Sequence, residues 1–177
     1  MGQFALACQA IVLPAALLGN AIGNVYYQRA AEMWAKAIGF KELFLTTTQK
    51  LILIGLPVYG VVFWFSASLF PIIFGPYWVK AGQYATFLSI SSFFYFVTVP
   101  LGMTCLIVGV KWYLPLWHMA RTASTAFVAF MAWRGSWDIQ AFLLALIIQQ
   151  SILYLFDLWA EYRFAGFSPE TLTRKCR

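Results

Sequence analysis

Five stretches of this chain read as membrane crossings: residues 4–27, 51–74, 84–110, 112–133 and 139–158. A crossing needs about 20 mostly apolar residues, because that many cover a hydrocarbon core about 30 Å thick. Helix is the state they must take. Backbone in lipid has to satisfy its own hydrogen bonds, and these runs are about twice the length of a barrel strand. The fold expected is an all-α integral membrane protein, a single transmembrane helical domain. Composition excludes the soluble alternative: the chain is 62% hydrophobic and 10% charged, where a soluble domain carries roughly 25% charged residues. So apolar a surface would not stay dispersed in water.

Between the first two crossings, residues 28–50 read as an amphipathic segment lying on the membrane surface. Ala30, Met33, Trp34, Ala37 and Phe44 recur near helical period beside Arg29, Glu32, Lys36 and Lys41. The other connections, 75–83, the turn at Lys111 and 134–138, are too short to hold an extramembrane catalytic domain.

Lysine and arginine bias their loops toward the cytoplasm. With alternating crossings, Arg29, Lys36, Lys41, Lys50, Lys111, Arg163, Arg174, Lys175 and Arg177 fall on one side, and Lys80 and Arg134 on the other. This asymmetry places the C-terminus and a tail at 159–177 in the cytoplasm, and the N-terminus outside. In a soluble protein the net charge of +6 would point to nucleic acid. Here it is spread between apolar spans, and no nucleic-acid partner is expected. Met1 starts almost directly on an apolar span without a cationic leader, so the chain reads as the C-terminal part of a longer membrane protein.

Chemistry-bearing residues are few. Asn20, Asn24 and Gln28 stand at i, i+4, i+8 and line one helical face, either as the glue of a tight helix interface or as the lining of a cavity. Beside them Gly19 and Gly23 form GxxxG, which permits close approach of another helix. Arg121 lies near the middle of the fourth span, with His118 one turn earlier on the same face. A cation at that depth costs at least ~2.5 kcal/mol and must turn away from lipid. It either captures an anionic group bidentately, with His118 as a nearby donor, or it snorkels or pairs with carbonyls of a neighbouring helix. Asp157 reads as an interfacial charge near Arg163, and as the one carboxylate with a chance of lying in the membrane. Cys8, Cys105 and Cys176 are far apart and odd in number, with no clustered histidine, so neither a disulfide framework nor a metal site is expected. HExxH, GxSxG and P-loop patterns are missing. No residue set nominates an enzyme, and no cofactor is called for.

Three runs carry a resemblance: Ile11 to Glu32, then Gly55-Leu56-Pro57, then Ile73 to Gly82 with FGxxWxxAG at Phe74, Gly75, Trp78 and Gly82. Together they resemble the C-terminal half of the bacterial Wzx-type polysaccharide and O-antigen flippases of the MOP superfamily. The resemblance implies part of the second lobe of a two-lobe transporter in the bacterial inner membrane. Such a transporter flips undecaprenyl-diphosphate-linked glycan between leaflets for surface lipopolysaccharide or exopolysaccharide biosynthesis, by alternating access. It implies sugar contacts from Asn20, Asn24 and Gln28 and attraction of the diphosphate by Arg121 with His118, while Gly75 and Trp78 shape the outer end of the second span. It also implies a missing N-terminal lobe as partner, alongside membrane lipid. A different class of reading is a noncatalytic membrane subunit that assembles with another membrane protein through Gly19, Gly23 and the amide stripe.

Overall fold

The computed structural model describes residues 2–167. The end of the expected tail, with Arg174, Lys175, Cys176 and Arg177, lies outside the described residues. The chain is all-helical, 88% helix, and contains no strand among the described residues. Six α-helices follow in order: α1 (Gly2–Ala35), α2 (Lys41–Phe74), α3 (Val79–Thr98), α4 (Thr104–Ile107), α5 (Tyr113–Arg134) and α6 (Ile139–Ala165). Two 3-10 turns, Pro76–Trp78 and Val99–Leu101, lead into α3 and out of it.

Four segments are long and apolar enough to cross a membrane: Ala7–Ala35, Lys41–Phe74, Pro76–Ile107 and Ile139–Ala165. That is one fewer than the five expected. Helix α5 has 22 residues, but His118, Arg121, Thr122, Ser124 and Thr125 interrupt its apolar run.

The surface segment expected at 28–50 does not exist as a separate element. Helix α1 carries on to Ala35 and α2 starts at Lys41, so those residues are the polar ends of two long helices. At 34 residues each, these helices are about 50 Å long. They overshoot the hydrocarbon layer, and their charged ends project together. Several apolar positions of the segment face the chain's own core: Ala30 and Phe40 are fully buried, and Phe44 is 1% exposed, whereas Ala37 is exposed. Phe44 meets the ring of Tyr26 from α1 at 6.4 Å and that of Tyr162 from α6 at 6.2 Å.

The reversal between α1 and α2 is a helix-end motif. Ile38 N–H donates to Met33 O at 2.9 Å and Ala37 N–H to Trp34 O at 3.0 Å, with Ala37 in the left-handed region at φ 58°. The same pair of bonds closes α4 at Gly109 (φ 88°) and α5 at Ser136 (φ 47°).

Helix α3 is the centre of the arrangement and packs along α2, α1 and α6. Of its apolar window 44% is buried, twice the 22% of α2 and well above the 17% of α6. The third span was expected over 84–110. A single membrane-length segment, Pro76–Ile107, does cover most of it, but within that segment α3 runs from Val79 to Thr98 and gives way to the 3-10 turn at Val99–Leu101, where Pro100 lacks the N–H a continuing α-helix needs. The fifth span runs on to Ala165, so the first part of the expected tail is buried helix: Ala160 and Ala165 are 7% and 1% exposed. Outward positions are apolar, Leu53 at 76% and Trp64 at 78% exposure among them, as a lipid-facing surface requires.

Candidate functional site: an arginine groove and a buried carboxylate pair

The four residues of the FGxxWxxAG stretch form the corner between α2 and α3. Phe74 ends α2 against the ring of Phe70 at 5.5 Å. Gly75 sits at φ 96°, ψ 165°, a conformation open essentially to glycine alone. Its carbonyl accepts the Trp78 N–H at 3.0 Å. Gly82 then lies flat on α2, where an added Cβ would stand 2.7 Å from Ser66 O. These residues are architectural. Pro57 is exposed within an unbroken α2.

Gly19 and Gly23 do let another element approach, and that element is the Pro100 turn. A Cβ at Gly23 would be 3.2 Å from Pro100 Cα, and one at Gly19 would be 3.7 Å from the proline ring. This contact turns the neighbouring amide stripe outward. Asn20, Asn24 and Gln28 are all exposed, and none makes a hydrogen bond within the described residues.

Arg121 and His118 do come together. Both line a groove of about 540 Å³ along α5 and α6, with Thr122, Thr125 and Gln150. Arg121 Nε donates to Gln150 Oε1 at 3.2 Å, and its guanidinium sits 5.1 Å from the ring centre of Tyr154. Gln150 Nε2 donates in turn to Thr125 Oγ1 at 3.2 Å, and Gln149 Nε2 to Ser124 Oγ at 2.7 Å. Ser124 and Thr125 hydroxyls both donate to the Arg121 carbonyl at 2.9 Å. The guanidinium is thus held on one edge by an amide and across its plane by a ring, and no carboxylate pairs with it among the described residues. His118 is exposed at the rim.

Asp157 is not an interfacial charge. It is 7% exposed, and Glu161, one turn later on α6, is fully buried. Tyr113 O–H donates to Asp157 Oδ1 at 2.7 Å, and Cys105 N–H from α4 donates to Glu161 Oε2 at 3.0 Å. Glu161 Oε1 has no partner. Thr104 O–H donates to Leu101 O at 2.7 Å, so the hydroxyl it shares with Tyr26 at 2.8 Å must take its proton from the tyrosine. Arg163, the expected neighbour of Asp157, instead lies over Trp159 at 5.4 Å. A signal for this burial was present in the pattern. Leu143, Ile147, Tyr154, Asp157 and Glu161 follow one another at helical spacing, so both carboxylates continue the core stripe of α6.

The fold defines an all-helical chain with four membrane-length apolar helices, carrying the Arg121 groove and a buried carboxylate pair. Comparison with profiles of known families, with characterised proteins and with solved structures finds no match.

Proposed function

We propose that this chain is part of a translocase for lipid-diphosphate-linked oligosaccharide in the bacterial cytoplasmic membrane, acting together with a first lobe. In this reading α5 is the fifth crossing, and the C-terminus is cytoplasmic, on the side of Lys111. The observation that carries the reading is Arg121. A half-buried guanidinium, braced by Gln150 and Tyr154 and unmatched by any carboxylate of the described chain, calls for an anion from outside. A planar fork of N–H donors suits the paired oxygens of a diphosphate. The groove volume of about 540 Å³ falls within the range of ordinary small-ligand sites.

The test is made in the complete transporter, with surface polysaccharide as readout. Arg121→Ala is expected to abolish most output, and Arg121→Lys to retain part of it, since charge survives but the fork does not. Asn24→Leu should lower output by removing a polar wall. Unchanged polysaccharide in both Arg121→Ala and Asn24→Leu would remove the assignment.

A second reading is favoured by the outward amide stripe. Asn20, Asn24 and Gln28, exposed and unbonded on a membrane helix, fit a face that docks on another protein, as a noncatalytic subunit would. Crosslinking from these positions separates the two. A translocase captures its own first lobe there, whereas a subunit captures an unrelated membrane protein.

A further inference from the structure

Among the described residues, Glu161 is the carboxylate most completely removed from solvent. Its exposure is zero even with no membrane and no partner around the chain, so assembly can only keep it covered. One oxygen accepts a single backbone N–H, from Cys105, and the other accepts nothing. Asp157 stands one turn away on the same face of α6 and takes one bond, from Tyr113. No lysine or arginine forms an ion pair with either group among the described residues. Two ionised carboxylates at i, i+4 repel each other, and an isolated charge in an apolar interior costs far more than the one hydrogen bond returns.

The groups facing the pair come from every packed element. Helix α1 contributes Tyr26, whose hydroxyl is bonded to Thr104 of α4 beside Cys105. From α5 come Tyr113 in direct contact and, further along the same helix, His118 and Arg121. Helix α3 brings Tyr95 against Tyr154 and the Thr98 hydroxyl onto the Tyr154 carbonyl, while Lys41 of α2 lies over the ring of Tyr162. Lys41 and Arg121 lie over aromatic rings of α6, and the open oxygen of Glu161 has no hydrogen-bond partner.

We propose that Asp157 and Glu161 form a proton-binding site, in which one exchangeable proton is held on Glu161 Oε1 while Asp157 keeps the Tyr113 bond. Its occupancy decides whether α6 stays seated on α4. With the proton bound, the junction carries a single negative charge, on Asp157, and is closed. Release of the proton leaves a second negative charge with a single N–H for company. Water must then enter between α4 and α6, which separates Glu161 from Cys105. Proton binding and helix movement are coupled by the cost of the bare charge, and this holds whether or not the chain moves a glycan.

Two readouts on the purified full-length chain in detergent test the site. The first is the infrared carbonyl band of an un-ionised carboxyl group, followed from neutral to alkaline pH. The second is the rate of Cys105 labelling by a neutral thiol reagent, in a background where Cys8 and Cys176 are serine. Wild type should show the band at neutral pH and lose it on alkalinisation. Glu161→Gln, which imitates the protonated group in shape, should lack the band and fold normally. At alkaline pH, Cys105 should react several-fold faster in wild type than in Glu161→Gln, a comparison in which ordinary thiol ionisation cancels. Asp157→Asn should lose the band at lower pH than wild type, since the neighbouring negative charge that opposes ionisation of Glu161 is gone. A band unaffected by Glu161→Gln, or equal Cys105 rates in the two proteins at every pH, would overturn the proposal. So would loss of the band on adding sodium ions at fixed pH, which would assign the site to a metal cation instead.

Discussion

Gly82 of α3 and Ser66 of α2 hold each other at backbone distance. The Ser66 hydroxyl donates to the Gly82 carbonyl at 3.1 Å, and a Cβ on Gly82 would come within 2.7 Å of the Ser66 carbonyl oxygen. Ser66 also shares a 2.7 Å hydrogen bond with Thr86. No hydrophobic force drives helices together within lipid, so such close packing and interhelical hydrogen bonds carry the association. Gly82→Ala is expected to push α3 off α2 and destabilise the chain by about 1–3 kcal/mol. Ser66→Ala should cost about 1 kcal/mol, with the backbones still in contact. Thermal unfolding of the two variants in one detergent checks the order. A Gly82→Ala protein as stable as wild type would mean the helices are not pressed together.

Ala37 ends α1 in a left-handed conformation at φ 58°, which costs a residue with a Cβ roughly 1–2 kcal/mol. Glycine relieves the strain while preserving both closing hydrogen bonds, at some cost in unfolded-state entropy. Ala37→Gly is therefore expected to stabilise by about 0.5–1 kcal/mol, seen as a higher melting temperature. As a contrast, Gly60→Ala in α2, where an added Cβ meets nothing within 4 Å, should be neutral or slightly stabilising through helix propensity.

Tyr113 is 9% exposed, stacks on Trp117 at 6.4 Å and meets Phe164 edge-on at 5.0 Å. Tyr113→Phe keeps those ring contacts and removes the donor to Asp157 Oδ1, leaving a buried acceptor unpaired. The expected loss is about 1–3 kcal/mol. Tyr26→Phe should cost less, about 1 kcal/mol, because its partner Thr104 still bonds Leu101 O. Chemical unfolding in detergent measures both, and equal losses would show that the Asp157 bond is worth no more than an ordinary hydroxyl pair.

Single cysteines at Ile38, Tyr77, Lys111 and Trp137, all exposed positions at helix turns, test the path of the chain across the membrane. On a background lacking Cys8, Cys105 and Cys176, a membrane-impermeant reagent applied to intact cells should label Tyr77→Cys and Trp137→Cys. Ile38→Cys and Lys111→Cys should react only after lysis. Trp137→Cys behaving like Lys111→Cys would show that α5 does not cross.

The amide stripe marks how far a linear reading reaches. Spacing puts Asn20, Asn24 and Gln28 on one face of a helix, and both an interface and a cavity fit that face. Only the seating of Gly19 and Gly23 on Pro100 decides that the stripe looks away from the chain's own core. The segment at 28–50 went astray for a related reason. Its apolar period is real, but a period cannot say whether membrane or protein covers it, and Phe40 and Phe44 are covered by protein.

What the sequence by itself determined is the secondary structure and its solvent: long apolar runs in lipid leave backbone groups no partner except their own helix, and Gly75 marks its corner because few other residues can turn there. What only the tertiary structure decided is the fate of Asp157 and Glu161. Near a basic tail Asp157 reads as a charge at an interface. Both carboxylates are buried because α4, Tyr113 and Tyr26 close over that end of α6, and burial depends on neighbours distant in sequence, which no local pattern specifies.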